Sequence, residues 1–599
     1  MQHQFKNYLV FSFIIPYLLL ILGILIIFVD KKSERPEVSM AHVKSRKGFQ
    51  SFSVLFWLVI IFEFFERGSY YGMMSVLSIY LTDILEFSKE NVGLIKGTIQ
   101  PILYFLPILS GAIADRFGFR KTLMIAFALM GGGYFLTAQV TGYTPVFLML
   151  CVMALGAGTF KPIISGTIAR VTSKEQSTMG FGIYYWSINL GAFLFPLFLI
   201  PYLKTVPSSP PWKWVMLAAA IGTGIMIIPT LLFYREPPKT GHDQKPAELN
   251  LIKTLANAFE IIYSPFILIF SMLRHAKLGR LIGLAAGLLS LLAIWLYLTR
   301  NHFFLFYVCL LFWMSQLILF SNHSGKRTGT AVILVGLFAL LWILPGLSVY
   351  SRIISTVIGS TVLSLFIIQT REKQKFHDHF KFLLMIFIYS GFWVLYFQMY
   401  DSVLWYVKDY VDATTLNRFI TGLLHKLGFS LQWAFDVEHV TVINAGTIIL
   451  LQLLISNMVK NKRALPTMMV GMVMGILGMA ILAIDPSIWV FMAGIVIFSI
   501  GEMTAHPKFI SYVGQTAPKE RMATYMGYIF LYGVIGSSIG APLGAKLYVH
   551  FVDHLHQPRT LWLIFCGIGL VTVIGLALFN RFLNPPAEGE KGKLNKIKD

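Results

Sequence analysis

Apolar runs close to the ~20 residues that cross a hydrocarbon core recur along this chain from Tyr8 to Phe582, each closed by Lys, Arg, Pro or a polar cluster. Few folds survive that pattern. The runs are long and do not alternate apolar with polar residues, so they suit a bundle of membrane-spanning helices rather than the short strands of a barrel. A composition 56% hydrophobic and 13% charged, with a mean hydropathy of +0.69, lies far from that of soluble domains.

The first run, Tyr8 to Val29, has one Lys before it and a basic cluster after it. A secretory leader has the reverse charge order and a small-residue cleavage site, so an uncleaved anchor with its N-terminus outside is expected. Six spans follow, at 52–81, 92–113, 121–141, 145–169, 178–202 and 214–234. The stretch "LIKTLANAFEIIYSPFILIF" reads as an interfacial helix, and four further spans are expected at 279–298, 303–320, 329–349 and 352–369. The last six are 383–407, 440–459, 466–484, 486–513, 522–548 and 560–582. The expected divisions are therefore an anchor and basic linker (1–49), a six-helix half (50–235), a linker with the inserted helices (236–382), a second six-helix half (383–583) and a basic tail (584–599).

The formal charge of +21 does not point to nucleic acid, because the basic residues sit in short segments such as "DRFGFRK", "QTREKQK" and "VKNKRA" rather than in one stripe. They read as cytoplasmic loops and tail under the positive-inside rule, and the span count leaves an even number of crossings between each neighbouring pair. The connection 408–439 then falls outside. Cys151, Cys309 and Cys566 lie within apolar runs and form no disulfide framework. His377, His379, His550, His554 and His556 fall at span ends, where ordinary loop positions outweigh a metal site.

Charges inside the spans carry the functional signal, because each is costly in lipid and usually lines a cavity. In "FEFFERGSYYGMM", Glu63, Glu66, Arg67, Tyr70, Tyr71 and Met74 recur at steps of three and four, which places them on one helix face. Two acids and one Arg leave a carboxylate short of a cation, and loss of water favours the proton-carrying form of a carboxyl. That is what a proton-coupled carrier requires; an ion cluster that only locks helices together is the alternative. "GAGTFKPIISG" supplies a mid-span Lys161, with Gly156 and Gly158 allowing close helix packing. It lacks the Ser/Thr of a phosphate loop and sits inside a span, which argues against nucleotide binding. Glu502, in "EMTAHPKFISYVGQTAPKER", is a second buried-acid candidate.

Together these segments resemble the proton-dependent oligopeptide transporter family of the major facilitator superfamily. Its E-x-x-E-R-x-x-Y-Y-G signature is met by Glu63, Glu66, Arg67, Tyr70, Tyr71 and Gly72, and its G-x-G-x-x-K-P-x-x-S segment by Gly156, Gly158, Lys161, Pro162 and Ser165. "YYWSINLG" matches the helix-five signature with Tyr185, Ile188, Asn189 and Gly191, Tyr184 replacing Phe. Tyr104 stands eleven residues before Asp115 and Arg116. "FWVLYFQMYDS" is similar to core helix seven, with Phe392, Trp393 and Gln398, "VINAG" to the start of helix eight, with Asn444, and Glu502 with Pro507, Ala517 and Pro518 to helix ten.

The resemblance implies an all-α major facilitator fold of twelve core helices in two halves, with one additional N-terminal and about four inserted helices, working by alternating access around a midplane site. It implies that Glu63, Glu66, Arg67, Lys161 and Glu502 couple protons to transport, with a salt bridge between helices one and four that protonation loosens. It implies a substrate cavity formed by Arg67, Tyr70, Tyr71, Tyr104, Lys161, Tyr185, Asn189, Gln398, Asn444 and Glu502. Asp115 and Arg116 would stabilise a cytoplasmic gate. Protons would be the coupling ion, with no other cofactor, and short peptides and the lipid bilayer of a cell membrane, expected to be a bacterial inner membrane, would be the partners.

The pattern also breaks. Met74 stands where peptide carriers usually have a second Arg, and Phe397 where an acid is usual, with Asp401 four residues on as a possible replacement. His506 replaces a common Ser and is followed by Lys508. Import of di- or tripeptides, with Asp401 and His506 compensating, is the expectation; a proton-coupled carrier of another small solute, such as an amino acid derivative, nitrate or another anion, is the alternative. A non-transporting scaffold or sensor with the same fold is a third reading, since fold does not fix function. No nucleophile elbow, zinc motif or paired-Asp signature favours an intramembrane enzyme. The four inserted spans carry almost no mid-span charge and suit a lipid-facing or partner-facing addition; nothing in them identifies a partner.

Overall fold

The computed structural model describes residues 52–237 and 376–583, apart from 431 and 518–521. The expected anchor, the interfacial helix, the four inserted spans and the basic tail lie outside the described residues, as does Cys309.

Twelve helical rods form, six in each described block. In the first block they are α1 (Val54–Ile79), α2 (Lys89–Phe105, resumed as Pro107–Phe117), α3 (Phe119–Thr137), α4 (Tyr143–Val171), α5 (Lys174–Leu194, extended through a π turn at Phe195–Leu199 to Ile200–Thr205) and α6 (Lys213–Gly224, then Ile227–Phe233). In the second they are α7 (Phe376–Phe397, resumed as Ser402–Tyr410), α8 (His439–Val459), α9 (Ala464–Leu482), α10 (Ile488–Thr516), α11 (Met522–Tyr528, then Leu531–Leu547) and α12 (Pro558–Phe582). Ten are long and apolar enough to cross a membrane on length and hydropathy alone. The other two, α1 and α3, bring the total to twelve; α1 misses the criterion because of the charges it buries, and α3 begins with Arg120 and Lys121. The chain is a multi-pass membrane protein.

The rods are longer than the apolar runs. α7 is helical from Phe376 although its run begins at 383, and α2 starts at Lys89 rather than 92. Hydropathy marks the hydrocarbon boundary, whereas a helix continues until a cap ends it. Ser53 and Ser88 provide such caps, accepting from the Phe56 and Asn91 amides at 3.2 Å. Ser173 and Gln176 form a reciprocal capping box at the start of α5.

Within the first half, α1 packs on α5 and α6, and α3 on α4 and α6; within the second, α7 packs on α11 and α12, and α9 on α10 and α12. The halves meet through α2 against α11 and α5 against α8, the pairing expected if each half repeats the other's arrangement. Small residues set these distances. A Cβ on Gly156 would lie 2.7 Å from the Ala126 carbonyl oxygen and the Met130 amide nitrogen, so α3 and α4 touch backbone to backbone there. Without a water-driven hydrophobic term in lipid, such van der Waals contact is a main source of helix association.

Glycine is also required in the turn between α2 and α3. Gly118 has φ +91°, a region most side chains avoid. The Glu236 carboxylate accepts from the Phe119 and Arg120 amides at 3.0 and 2.9 Å, capping α3, while the Arg120 guanidinium donates to the Thr230 and Leu231 carbonyls at the end of α6. The backbone places Asp115 and Arg116 in the last turn of α2, next to this bracket.

Gly156→Leu is expected to lower stability in detergent by about 1–3 kcal/mol or more through overpacking. Gly132→Ala, where an added Cβ meets nothing within 4 Å, should be close to neutral. Thermal midpoints of the two variants and wild type check this.

Candidate functional site

A cavity of about 1260 Å³ lies between the two halves, with Arg67, Tyr71, Lys161, Trp393, Tyr400 and Glu502 among its walls. It runs from the middle of the bundle to the end bearing the basic loops, where Gly111, Ala169, Phe181 and Ile510 border it. At the other end it stops at Tyr71 and Tyr400, whose rings are 6.1 Å apart.

On the first-half wall, Arg67 reaches back along its own helix. Its guanidinium donates to both oxygens of Glu66 in a fork, one of the bonds 2.6 Å long, and its Nε lies 3.6 Å from Glu63 Oε1. All three side chains are buried. Lys161 Nζ sits 4.6 Å from the centre of the Tyr104 ring, a cation–π contact. Among the described residues no carboxylate lies within salt-bridge distance of Lys161. The expected salt bridge between helices one and four is therefore not formed in this conformation, because α1 supplies its own cation to its own acids.

The opposite wall holds Glu502 with its partner Asn444, whose amide donates to Glu502 Oε2 at 3.1 Å and to Ser499 Oγ at 2.8 Å. Among the described residues, Glu502 is the one carboxylate that the second half contributes to the cavity lining. His506, one turn further along α10, also lines the cavity and packs edge-on to Trp393 and Tyr532, each 5.2 Å away between ring centres. Trp393 and Tyr532 stack at 4.2 Å, and Tyr104 approaches both from the first half. Asn189 lines the cavity too, its amide donating to the Tyr185 carbonyl at 2.9 Å.

Of the expected site residues, Glu63, Arg67, Tyr71, Tyr104, Lys161, Tyr185, Asn189, Asn444, Glu502 and His506 line this one cavity. Four do not. Glu66 and Tyr70 lie behind the wall, Glu66 holding Arg67 and Tyr70 lying 5.1 Å from the guanidinium carbon. Gln398 turns toward α11, donating to the Gly540 carbonyl at 3.0 Å and accepting from Ser402 at 2.8 Å. Asp401 points away from the cavity and is paired 2.5 Å from Lys96 Nζ, so it does not replace the acid missing at Phe397. The reason is local: α7 breaks at Gln398–Tyr400 into a 3-10 turn and Asp401 has φ −123° and ψ −98°, so the one-turn spacing from Phe397 no longer means a shared face.

Lys508 is also outside the cavity. Its ammonium donates to the Lys460 and Lys462 carbonyls at 3.1 and 2.7 Å, capping the C-terminal end of α8. Tyr396, Tyr400, Gln452 and Tyr532 line the cavity without having been singled out by the sequence. A Tyr or Gln in a mixed apolar run carries no warning of its own. Lys96 did carry one, as a charge within the run 92–113, but it stands near the edge of that run, where a basic residue is ordinary.

The end opposite the basic loops is closed by ion pairs between the halves. Asp83 pairs with Lys408; Lys89 lies 2.7 Å from Asp553 and 4.0 Å from Asp409; Lys96 pairs with Asp401; and Lys204 lies 2.5 Å from Asp436 and 2.8 Å from Glu438. Among the described residues, no ion pair joins the halves at the other end.

A two-half bundle of twelve membrane helices, closed at one end and hollow from the middle to the other, is the architecture of a solute carrier. The chain belongs to the major facilitator superfamily, whose family model matches residues 57–407 and 382–598. Among curated proteins it is similar to a di-/tripeptide transporter of Lactococcus lactis subsp. lactis (strain IL1403), 28% identical over 247 residues, covering 39% of this chain and 48% of that protein. A di-/tripeptide transporter of Lactococcus lactis subsp. cremoris is 30% identical over 227 residues, 35% of this chain and 44% of that protein. Human solute carrier family 15 member 2 is 30% identical over 203 residues, 31% of this chain and 28% of that protein. The matched segments thus span half or less of these relatives. Among solved structures, a POT family transporter in complex with 5-aminolevulinic acid superposes with a TM-score of 0.57 at 19% identity, covering 90% of this chain and 97% of that one. Another, in complex with a thioalcohol conjugated peptide, gives 0.58 at 18% identity, covering 91% and 99%. These likenesses place the fold, and the curated relatives agree with the oligopeptide transporter resemblance carried by the motifs.

Lys508→Met should remove the two carbonyl caps at the end of α8 and lower stability by about 1–3 kcal/mol. The drop in thermal midpoint, measured beside Lys546→Met on an exposed position of α11, checks it.

Proposed function

We propose that the protein is a proton-coupled symporter that imports di- and tripeptides by alternating access. The observation that carries this reading is the charge layout of the cavity: Arg67 and Lys161 on one wall, Glu502 with Asn444 on the other. A short peptide is a zwitterion whose carboxylate suits the first wall and whose amine suits the second. Between them Tyr71, Tyr104, Trp393 and Tyr532 offer flat apolar surfaces for side chains.

The basic loops border the hollow end, so under the positive-inside rule that end faces the cytoplasm and the ion-paired end faces outward. The conformation is then inward-facing. The C-terminus lies in the cytoplasm, the N-terminus of the anchor outside, and a bacterial inner membrane supplies the inward proton gradient. The membrane potential would contribute ~2.3 kcal/mol per transferred charge per 100 mV.

Proton coupling is assigned to Glu63, Glu66 and Arg67. Arg67 is shared by two acids, so protonating one carboxyl frees part of the guanidinium for a substrate carboxylate, and substrate binding in turn favours the protonated acid. Glu66 does this from behind the wall, without touching substrate. The basic segments 371–382 and 584–599 remain assigned to cytoplasmic connections, the inserted helices to a lipid- or partner-facing role, and Asp115 with Arg116 to the cytoplasmic gate.

One observation favours the second reading, a carrier of a small solute other than a peptide. With Asp401 bound to Lys96, neither Met74 nor Phe397 has a charged stand-in, leaving Glu502 as the second half's acid in the cavity. A small amino-bearing solute needs no more than that.

Uptake of a labelled dipeptide into proteoliposomes under an imposed inward proton gradient tests the proposal. Wild type should accumulate label and Glu66→Gln, folded and inserted, should lose gradient-driven uptake at least tenfold, the effect of about 1.4 kcal/mol. Uptake in wild type that unlabelled dipeptides do not compete, while small amino-bearing solutes do, would move the assignment to the second reading.

A further inference from the structure

The connection between α7 and α8, at the ion-paired end of the bundle, folds into a helix of its own, Thr414–Lys426. It packs on α10, and just before it the Asp412 backbone bridges to Ser487 at the start of that helix. Asn417 accepts from the Phe435 amide at 2.8 Å and Thr421 from the Trp433 amide at 3.2 Å. These two side chains stand one turn apart, so their bonds to the returning chain fix the roll of the helix about its axis.

With the roll fixed, the remaining sides differ in chemistry. Leu416 and Ile420 turn into the hydrophobic core. Phe419, Leu423 and Leu427 recur at steps of four on the same apolar side, yet they are 60%, 46% and 64% exposed. Arg418, Gly422 and Lys426 form the adjoining stripe and are exposed as well. Among the described residues neither cation is in an ion pair: Asp412 is close enough to feel Arg418 but makes no salt bridge with it. No Asp or Glu stands between Asp412 and Asp436.

The exposed stripe is at the level of the bilayer surface. The Phe419 ring lies 6.4 Å from that of Trp489, the second residue of α10, which is half-exposed where that span begins. Leu477 and Ile484, at the same end of α9 and in the turn after it, are exposed too. The stripe therefore continues the surface that α9 and α10 present to lipid, with an aromatic ring at the boundary, where such rings collect.

We propose that the helix Thr414–Lys426 is an interfacial lipid-binding site: Phe419, Leu423 and Leu427 enter the acyl boundary of the leaflet at the ion-paired end, and Arg418 and Lys426 take the phosphates of anionic phospholipid. The charges argue against an occupant from this chain. Neither residues 1–29 nor the stretch between Glu260 and Glu372 contains an Asp or Glu to offer the two cations. A second copy docked about a two-fold axis would set Arg418 and Lys426 against their own equivalents. The inference does not rest on what the carrier moves or on which side of the membrane this end faces.

The test is a depth measurement on full-length protein with Cys151, Cys309 and Cys566 replaced. A nitroxide is attached at Leu423→Cys or, on the adjoining stripe, at Gly422→Cys, where an added side chain meets nothing within 4 Å. Collision with oxygen and with a water-soluble nickel chelate is recorded in bilayers of phosphatidylcholine, with and without phosphatidylglycerol. The label at 423 should favour oxygen and lie about 5–10 Å into the interface, while the label at 422 favours nickel. Phosphatidylglycerol should draw the 423 label deeper, and Arg418→Gln with Lys426→Gln should abolish that dependence. Equal nickel access at both positions would leave the helix in water and overturn the proposal. Shielding of 423 from both reagents would mean a protein occupant and overturn it too, as would a depth indifferent to phosphatidylglycerol or a dependence that survives the double substitution. Failure of dipeptide uptake with these depths intact would count against the peptide reading alone.

Discussion

Removing an ion from water costs several kcal/mol even after the protein relaxes around it, and a buried pair deprived of one member loses about 3–5 kcal/mol. In this bundle that cost decides where the helices can be. Glu63, Glu66 and Arg67 satisfy each other within one helix, so α1 carries its charge cluster as a self-contained unit whichever way the halves lean. Lys161 and Glu502 instead face the cavity from opposite halves, each with a single close polar or aromatic companion. They are the charges with capacity to spare for something that enters.

The same constraint accounts for the unequal ends. At the end opposite the basic loops cations and carboxylates from the two halves meet in four separate places, while among the described residues no ion pair joins the halves at the basic-loop end. At the ion-paired end the facing surfaces of the two halves are complementary in charge. Anything that opens this end must supply what these pairs give up.

The number, order and approximate limits of the described helices were legible because a membrane leaves the backbone only one local solution, and hydropathy reports it directly. The cavity wall was legible where a motif put charge into lipid, as at Glu63, Arg67, Lys161 and Glu502. It was not legible where the outcome depended on helix geometry that spacing cannot express. Asp401 is the clearest case: four residues from Phe397 it should share a face, but the break in α7 turns it to Lys96, 305 positions earlier in the chain. Lys508 shows the same limit, since a cation beside the cavity and one capping a neighbouring helix look identical in a string of letters. Tyr396, Tyr400 and Tyr532 are cavity residues by position alone, and only the packed bundle reveals them.

The bracket at the start of α3 has a mechanical meaning. Glu236 holds the first amides of α3 while Arg120 holds the last carbonyls of α6, so each helix end is fastened by a side chain whose own anchor is the other helix. Two rods joined by such a reciprocal clasp cannot slide or splay independently where they leave the bilayer. The basic-loop rim of the first half is therefore braced at this point, whereas α7 is interrupted at Gln398–Tyr400.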